Sequence, residues 1–137
     1  MTTLADHALA IQNLKARYCA VADSAADDAE GALKAFGSVF LPDVTADYGF
    51  EPMQGADALG RFLCTAIAGN STWVLHMIHT PMIEIAGETA KGDWTVMAHL
   101  KRRESGEVDL VRGRYCDEFR LTPQGWRIAR VTFTRLT

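Results

Sequence analysis

From residue 72 onward the chain consists of four strand-like runs, 72–85, 88–103, 108–122 and 125–136. The links between them are Ala86-Gly87-Glu88, Glu104-Ser105-Gly106-Glu107 and Thr122-Pro123-Gln124-Gly125, each containing a glycine. Links this short join neighbouring strands only when those strands run antiparallel, and glycine supplies the positive φ that tight turns require. The runs are rich in β-branched and aromatic side chains, which suit a pleated, half-buried surface. A meander of long strands is therefore the expectation for the second half of the chain.

The first half has a different period. Leu4, Ala8, Ile11, Leu14, Tyr18, Val21 and Ala25 recur at threes and fours, so a helix is predicted over residues 4 to about 25, capped by Thr3 or Asp6. A second helix is predicted to start at Asp27 or Asp28, to carry Leu33, Phe36, Val39 and Phe40, and to end at Pro42. Val44–Tyr48 reads as a short strand, residues 49–55 as a turn and a second short strand, and Ala56–Ala68 as a third helix. Helices first and a meander second define an α+β domain, with helices on one face of an antiparallel sheet. If that sheet curls, a pocket forms between its concave face and the helices.

At 137 residues the chain reads as one domain, and it contains no repeat, linker or low-complexity stretch. A net charge of -3 without a Lys/Arg block argues against nucleic acid as a partner. No apolar run approaches the roughly 20 residues of a membrane span, and the N-terminus lacks the basic segment of a secretory signal, so the expected location is the cytoplasm. Cys19, Cys64 and Cys116 form an odd set without CxxC spacing, which indicates neither disulfides nor zinc; they read as small buried hydrophobes.

Chemistry is expected around the first long run, Thr72–Ile85. His76 and His79 are three apart, an odd number, so on a strand they point to opposite faces, and His76 is taken as the inward one. A neutral imidazole is a good general base when a carboxylate fixes its tautomer, and Asp23 is the candidate carboxylate. Tyr18 could donate to a carbonyl or developing oxyanion, and His99 on the next strand could pass a proton to a leaving hydroxyl. Such a set suits removal of a proton next to a carbonyl followed by loss of water, with no cofactor or metal. Each residue also has a structural reading: Tyr18 as packing, Asp23 as a helix-end hydrogen-bonder, the histidines as satisfied strand residues. The pattern on Gly92–Leu100 leaves open which face carries His99.

The run Ile11-x-x-Leu14-x-x-Arg17-Tyr18-x-x-x-x-Asp23, then Phe40-Leu-Pro-Asp43 and Asp47-Tyr48, resembles the SnoaL-like branch of the nuclear-transport-factor-2-like superfamily. Gly55-x-x-Ala-Leu-x-x-Phe62, His76, Gly113-x-Tyr115-x-Asp117 and Gly125-Trp126-Arg127-Ile128 continue the match over nearly the whole chain. The resemblance implies a cone-shaped α+β fold with a deep pocket. Within the superfamily the chain is similar to scytalone dehydratase and the bile-acid dehydratases, which implies a dehydratase-type lyase with Tyr18, Asp23, His76 and His99 in one pocket. Asp27 and Asp28 are alternative partners for His76, and Thr80 stands where an asparagine is frequent. Isomerases, cyclases and non-catalytic dioxygenase β subunits share the fold, so fold alone leaves the reaction open.

The expected pocket wall comprises Phe40, Tyr48, Met53, Phe62, Trp73, Met97 and Phe119, with Phe36 and either Met77 or Ile78, a lining for a small hydrophobic molecule. Tyr115 and Asp117 share a strand face and either line the pocket or pair with Arg17. His7 is expected to be exposed. The arginines spread along the last strands suggest a solvated or intersubunit sheet face in preference to an anion site, and relatives associate through that face, so a homo-oligomer, trimer or dimer, is expected.

Overall fold

A computed structural model describes residues 1–137. Helix α1 (Leu4–Ser24) begins at Thr3, whose hydroxyl accepts from the Asp6 N–H while the Asp6 carboxylate accepts from the Thr3 N–H, a reciprocal cap that satisfies two otherwise orphaned donors. Helix α2 (Ala29–Phe36) is capped by Asp28, which accepts from the Gly31 N–H. It is shorter than predicted. The chain leaves the helix at Gly37, and strand β1 (Phe40–Asp47) starts where apolar spacing suggested more helix. Pro42 lies inside that strand rather than ending a helix. The register of β1 against its neighbour shifts between Phe40 and Thr45, and in such an irregularity a missing N–H breaks no regular ladder.

Strand β2 (Met53–Gln54) folds back on β1, and Gly55, at φ 98°, turns the chain into α3 (Ala56–Asn70). Then come β3 (Ser71–Ala86), β4 (Thr89–Arg102), β5 (Val108–Thr122) and β6 (Gly125–Arg135), within a residue or two of the predicted runs. The four form the expected antiparallel meander. The sheet order is β2-β1-β6-β5-β4-β3, with β1 parallel to β6, a long-range pairing that no local pattern announces.

The helices cover one face of this curved, unclosed sheet. Tyr18, Phe36 and Phe40 pack as one aromatic group, with Phe36 and Phe40 stacked at 5.1 Å between centroids. Ile11, Val39, Val44, Ile128 and Val131 are fully buried around them. No helix is long and apolar enough to cross a membrane.

Candidate functional site

The stripe on α1 places Lys15, Tyr18 and Ala22 toward the sheet. Asp23 lies five residues past Tyr18, about 140° further round a helix of 3.6 residues per turn, and so points sideways. What it meets there is β3, the terminal strand of the sheet. One row of backbone groups on that strand has no partner strand, and the N–H of His76 belongs to that row. Asp23 closes it: its two oxygens lie 3.1 and 3.2 Å from the His76 backbone nitrogen. The same carboxylate reaches the imidazole Nδ1 at 2.6 Å. Main chain and side chain of one histidine thus converge on one acid. An ionised carboxylate only accepts, so the shared hydrogen belongs to Nδ1 and the lone pair of the neutral ring sits on Nε2. Asp27 is exposed and Asp28 is occupied as a helix cap, so neither partners His76.

His76 enters a pocket of about 330 Å³ between α1, α3 and the sheet. Strand alternation decides which side chains reach it. His76 pairs with Ala98 across the β3–β4 ladder, and Val74, Val96, Ala98 and Leu100 share that face. Leu63, Ala66 and Ile67 close it from α3 and Phe133 from β6. The lining is apolar except for His76, Ser71, Asn70 and the tyrosine hydroxyls.

Tyr18 and Tyr48 form the polar spot of the wall, their hydroxyls 2.6 Å apart. Tyr115 stands edge-on to Tyr18 at 5.7 Å between centroids and also lines the pocket. Burial pushes all three phenols above their ordinary value. They therefore remain protonated donors. In the Tyr18–Tyr48 pair one O–H is committed to the other oxygen, and the second remains to donate elsewhere.

Beneath the tyrosines lies a fully buried ion pair, Lys15 Nζ to Asp117 Oδ2 at 2.9 Å. The ammonium also lies over the rings of Tyr115 and Tyr18, 3.5 and 3.9 Å from their centroids. Burial raises the Asp117 carboxyl to about 6, against the pull of Lys15. Asp117 thus pairs with Lys15 and not with Arg17, which is exposed. Sequence reasoning passed over Lys15 because a lone lysine on an apolar stripe gives no sign of its partner; its place on the Ile11–Leu14–Tyr18 stripe was the available signal.

Other expectations are corrected. His99 pairs with Leu75 on the opposite face of the sheet, and its neighbours Ala98 and Leu100 take the pocket side, so it does not join His76. Trp73 and Met97 lie on that same outer face, by the same alternation. Phe40 is solid core against Phe36, and Phe119 packs on Trp94 away from the pocket. Phe62 stacks behind Tyr48 with Phe50, and Met53 lies on the short outer hairpin, so neither lines the cavity. Phe36, Met77 and Ile78 are not part of the lining either, so of the expected wall residues only Tyr48 reaches the pocket, joined by Tyr115. His7 is half-buried and accepts a 2.9 Å hydrogen bond from the Trp126 indole. Cys116 is exposed, because Tyr115 and Asp117 take the inward positions on either side of it. Nowhere do three or more His, Cys, Asp or Glu side chains converge in a way that could hold a metal ion.

A curved α+β sheet roofed by helices over an apolar pocket is the fold of nuclear-transport-factor-2-like proteins. Residues 3–132 match the SnoaL-like domain model, and the chain belongs to that family. Solved structures agree. A protein from Novosphingobium aromaticivorans, described as a candidate aromatic ring hydroxylase, is 26% identical, with a TM-score of 0.85 over 99% of this chain and 93% of that one. A nuclear-transport-factor-2-like superfamily protein from Salmonella enterica is 20% identical, with a TM-score of 0.81 over 93% and 89%. A candidate scytalone dehydratase from Novosphingobium aromaticivorans is 17% identical, with a TM-score of 0.80 over 94% and 83%. Among curated proteins nothing matches the sequence.

Proposed function

We propose that this protein is a cofactor-independent lyase of the dehydratase type, acting on a small apolar ring compound that carries a hydroxyl group β to a carbonyl. The observation that carries this reading is the 2.6 Å contact between Asp23 and the Nδ1 of a histidine that lines an apolar pocket. The Nε2 lone pair would take the proton from the carbon next to the substrate carbonyl, and Asp23 would stabilise the imidazolium that forms. The free phenol proton of the Tyr18–Tyr48 pair would donate to the carbonyl oxygen as charge builds on it. Electrons from the broken C–H bond then form the C=C bond as the C–O bond to the hydroxyl breaks. The imidazolium returns its proton to the departing hydroxide, so water leaves and His76 is neutral again. One base on one face thus serves both steps, and His99 has no place in them.

The fold neighbours described as a dehydratase and as an aromatic ring hydroxylase fit an apolar cyclic substrate. The absence of a second acid near His76 also favours a related reading, an isomerase or cyclase that shuttles the proton without expelling hydroxide. The test is turnover of cyclic β-hydroxy ketones followed by mass spectrometry. A product lighter by one water supports the lyase, and one of unchanged mass the isomerase. His76→Ala should lower the rate by about 10²- to 10⁴-fold with the fold intact, and a fully active variant refutes both readings.

A further inference from the structure

One end of the apolar pocket is walled by Leu100 and Val111. Both residues, with Asn70, also wall an adjoining groove that holds three arginines, Arg102, Arg103 and Arg135. The inner chamber and this charged groove therefore adjoin along one face of the sheet, with Asn70, Leu100 and Val111 as their common wall. Register explains how Arg135 comes to be there. Tyr115 pairs with Phe133 and Gly113 pairs with Arg135, so Arg135 is two residues beyond a pocket-lining ring and on the same face.

The three guanidiniums differ in what occupies them. Arg102 is paired with Asp109. Arg103 donates to the carbonyls of Ala68 and Ser71 at 3.0 and 2.8 Å, fastening the end of α3 to the start of β3. Arg135 has neither an ion pair nor a hydrogen bond, and it is exposed at the rim. Charge counting gives the same picture. Three arginines stand against Glu104 and Asp109 in the groove, leaving a surplus of one positive charge. A single surplus charge carried by a planar five-donor fork suits a monoanion held through two parallel hydrogen bonds, which describes a carboxylate better than a dianionic phosphate.

We propose that the substrate is an amphipathic acid: its ring lies in the apolar chamber before His76, and its carboxylate is held at the rim by Arg135. This rests on the reading of the chamber as the substrate site. It adds the chemical class of the group outside the chamber, and with it the orientation of the ring, because a molecule tethered at the rim presents its far end to Tyr18 and His76.

The test compares 2-naphthoate with its neutral isostere 2-naphthamide, by calorimetry and tyrosine fluorescence, on the full chain. Three proteins are used: the unmodified chain, Arg135→Gln at an exposed position, and Ala98→Trp, which fills the chamber. The expected result is that naphthoate binds the unmodified protein about tenfold more tightly than the amide, that added salt erodes the preference, and that Arg135→Gln removes it while leaving amide affinity unchanged. Ala98→Trp should abolish binding of both. Equal affinity for the two probes, or a preference that survives Arg135→Gln, overturns the proposal and leaves the chamber reading standing. Failure of both probes to bind, or binding that survives Ala98→Trp, overturns it together with the chamber reading.

Discussion

Asp23 performs two tasks with one carboxylate, and they separate experimentally. It closes the exposed backbone N–H of His76 and it sets the tautomer of the ring. Asp23→Asn keeps the size but offers one acceptor oxygen, so either task is met only in part. Turnover should fall by about 10²- to 10⁴-fold, the range for loss of a positioned general base, while stability falls by only about 1–3 kcal/mol; parallel kinetics and urea unfolding check this. Lys15 and Asp117 sit in the opposite regime, with no solvent to share the charge. Because burial lifts the Asp117 carboxyl to about 6, the folded protein holds a proton there that the unfolded chain has already released. Stability is then greatest below the ordinary aspartate value near 4 and declines as pH rises through about 6, by on the order of 2–3 kcal/mol. Thermal melts from pH 4 to pH 7 should show the slope, and a Lys15→Met, Asp117→Leu double variant should lose it. Helix phase turned Asp23 away from Tyr18 and strand parity separated His76 from His79, while the meeting of Asp23 with His76 was an expectation carried by the family resemblance. The Lys15–Asp117 pair was not legible in the sequence, since its members lie a hundred residues apart and no local pattern links them.

At the level of elements, hydrophobic period and turn chemistry located every strand of the meander, and they erred only where a helix passed directly into a strand. Val39 and Phe40 continue the apolar spacing of α2, yet both are buried because β1 pairs with β6, not because the helix goes on. Strand β5 shows how closely the elements interlock. A Cβ at Gly113 would strike the Phe133 ring and the Thr134 carbonyl oxygen. Only glycine leaves room for the Phe133 ring to stand tilted beside Tyr115, 5.4 Å away between centroids, as part of the pocket wall. Gly113→Ala should therefore destabilise by about 1–3 kcal/mol, a typical overpacking cost, and should weaken binding of apolar probes; denaturant unfolding and probe titration check the two effects. On β3, Thr80 occupies a left-handed conformation at φ 47°, inside the irregular pairing between His79 and Met82. A β-branched residue there is strained, and asparagine tolerates that region better.

For the whole molecule, the sheet face away from the helices has no cover. Trp73, Leu75 and Leu110 are 42%, 52% and 39% exposed there, beside His99. Apolar side chains grouped on one exposed sheet face mark an association surface, and we expect a second copy of the chain to cover it. Sedimentation should give a mass that is a multiple of 15.0 kDa, and Leu75→Lys should shift it toward the monomer. Three of the residues that sequence reasoning assigned to the pocket, Trp73, Met97 and His99, belong to this outer face. The misplacement of these three has one origin. Both faces of β3 and β4 carry apolar side chains, so alternation separates the faces without saying which of them the helices will cover. Local patterns alone determined the α+β class, the meander, the helix phase that turns Asp23 away from Tyr18, and the parity that separates His76 from His79. Those are short-range properties of φ, ψ and side-chain spacing, written in consecutive residues. The inward face of the sheet, the β1–β6 pairing, the Lys15–Asp117 bond and the meeting of the pocket with an arginine groove were decided only when distant segments packed together. Such contacts depend on which surfaces lose water to one another, and no window of neighbouring residues contains that information.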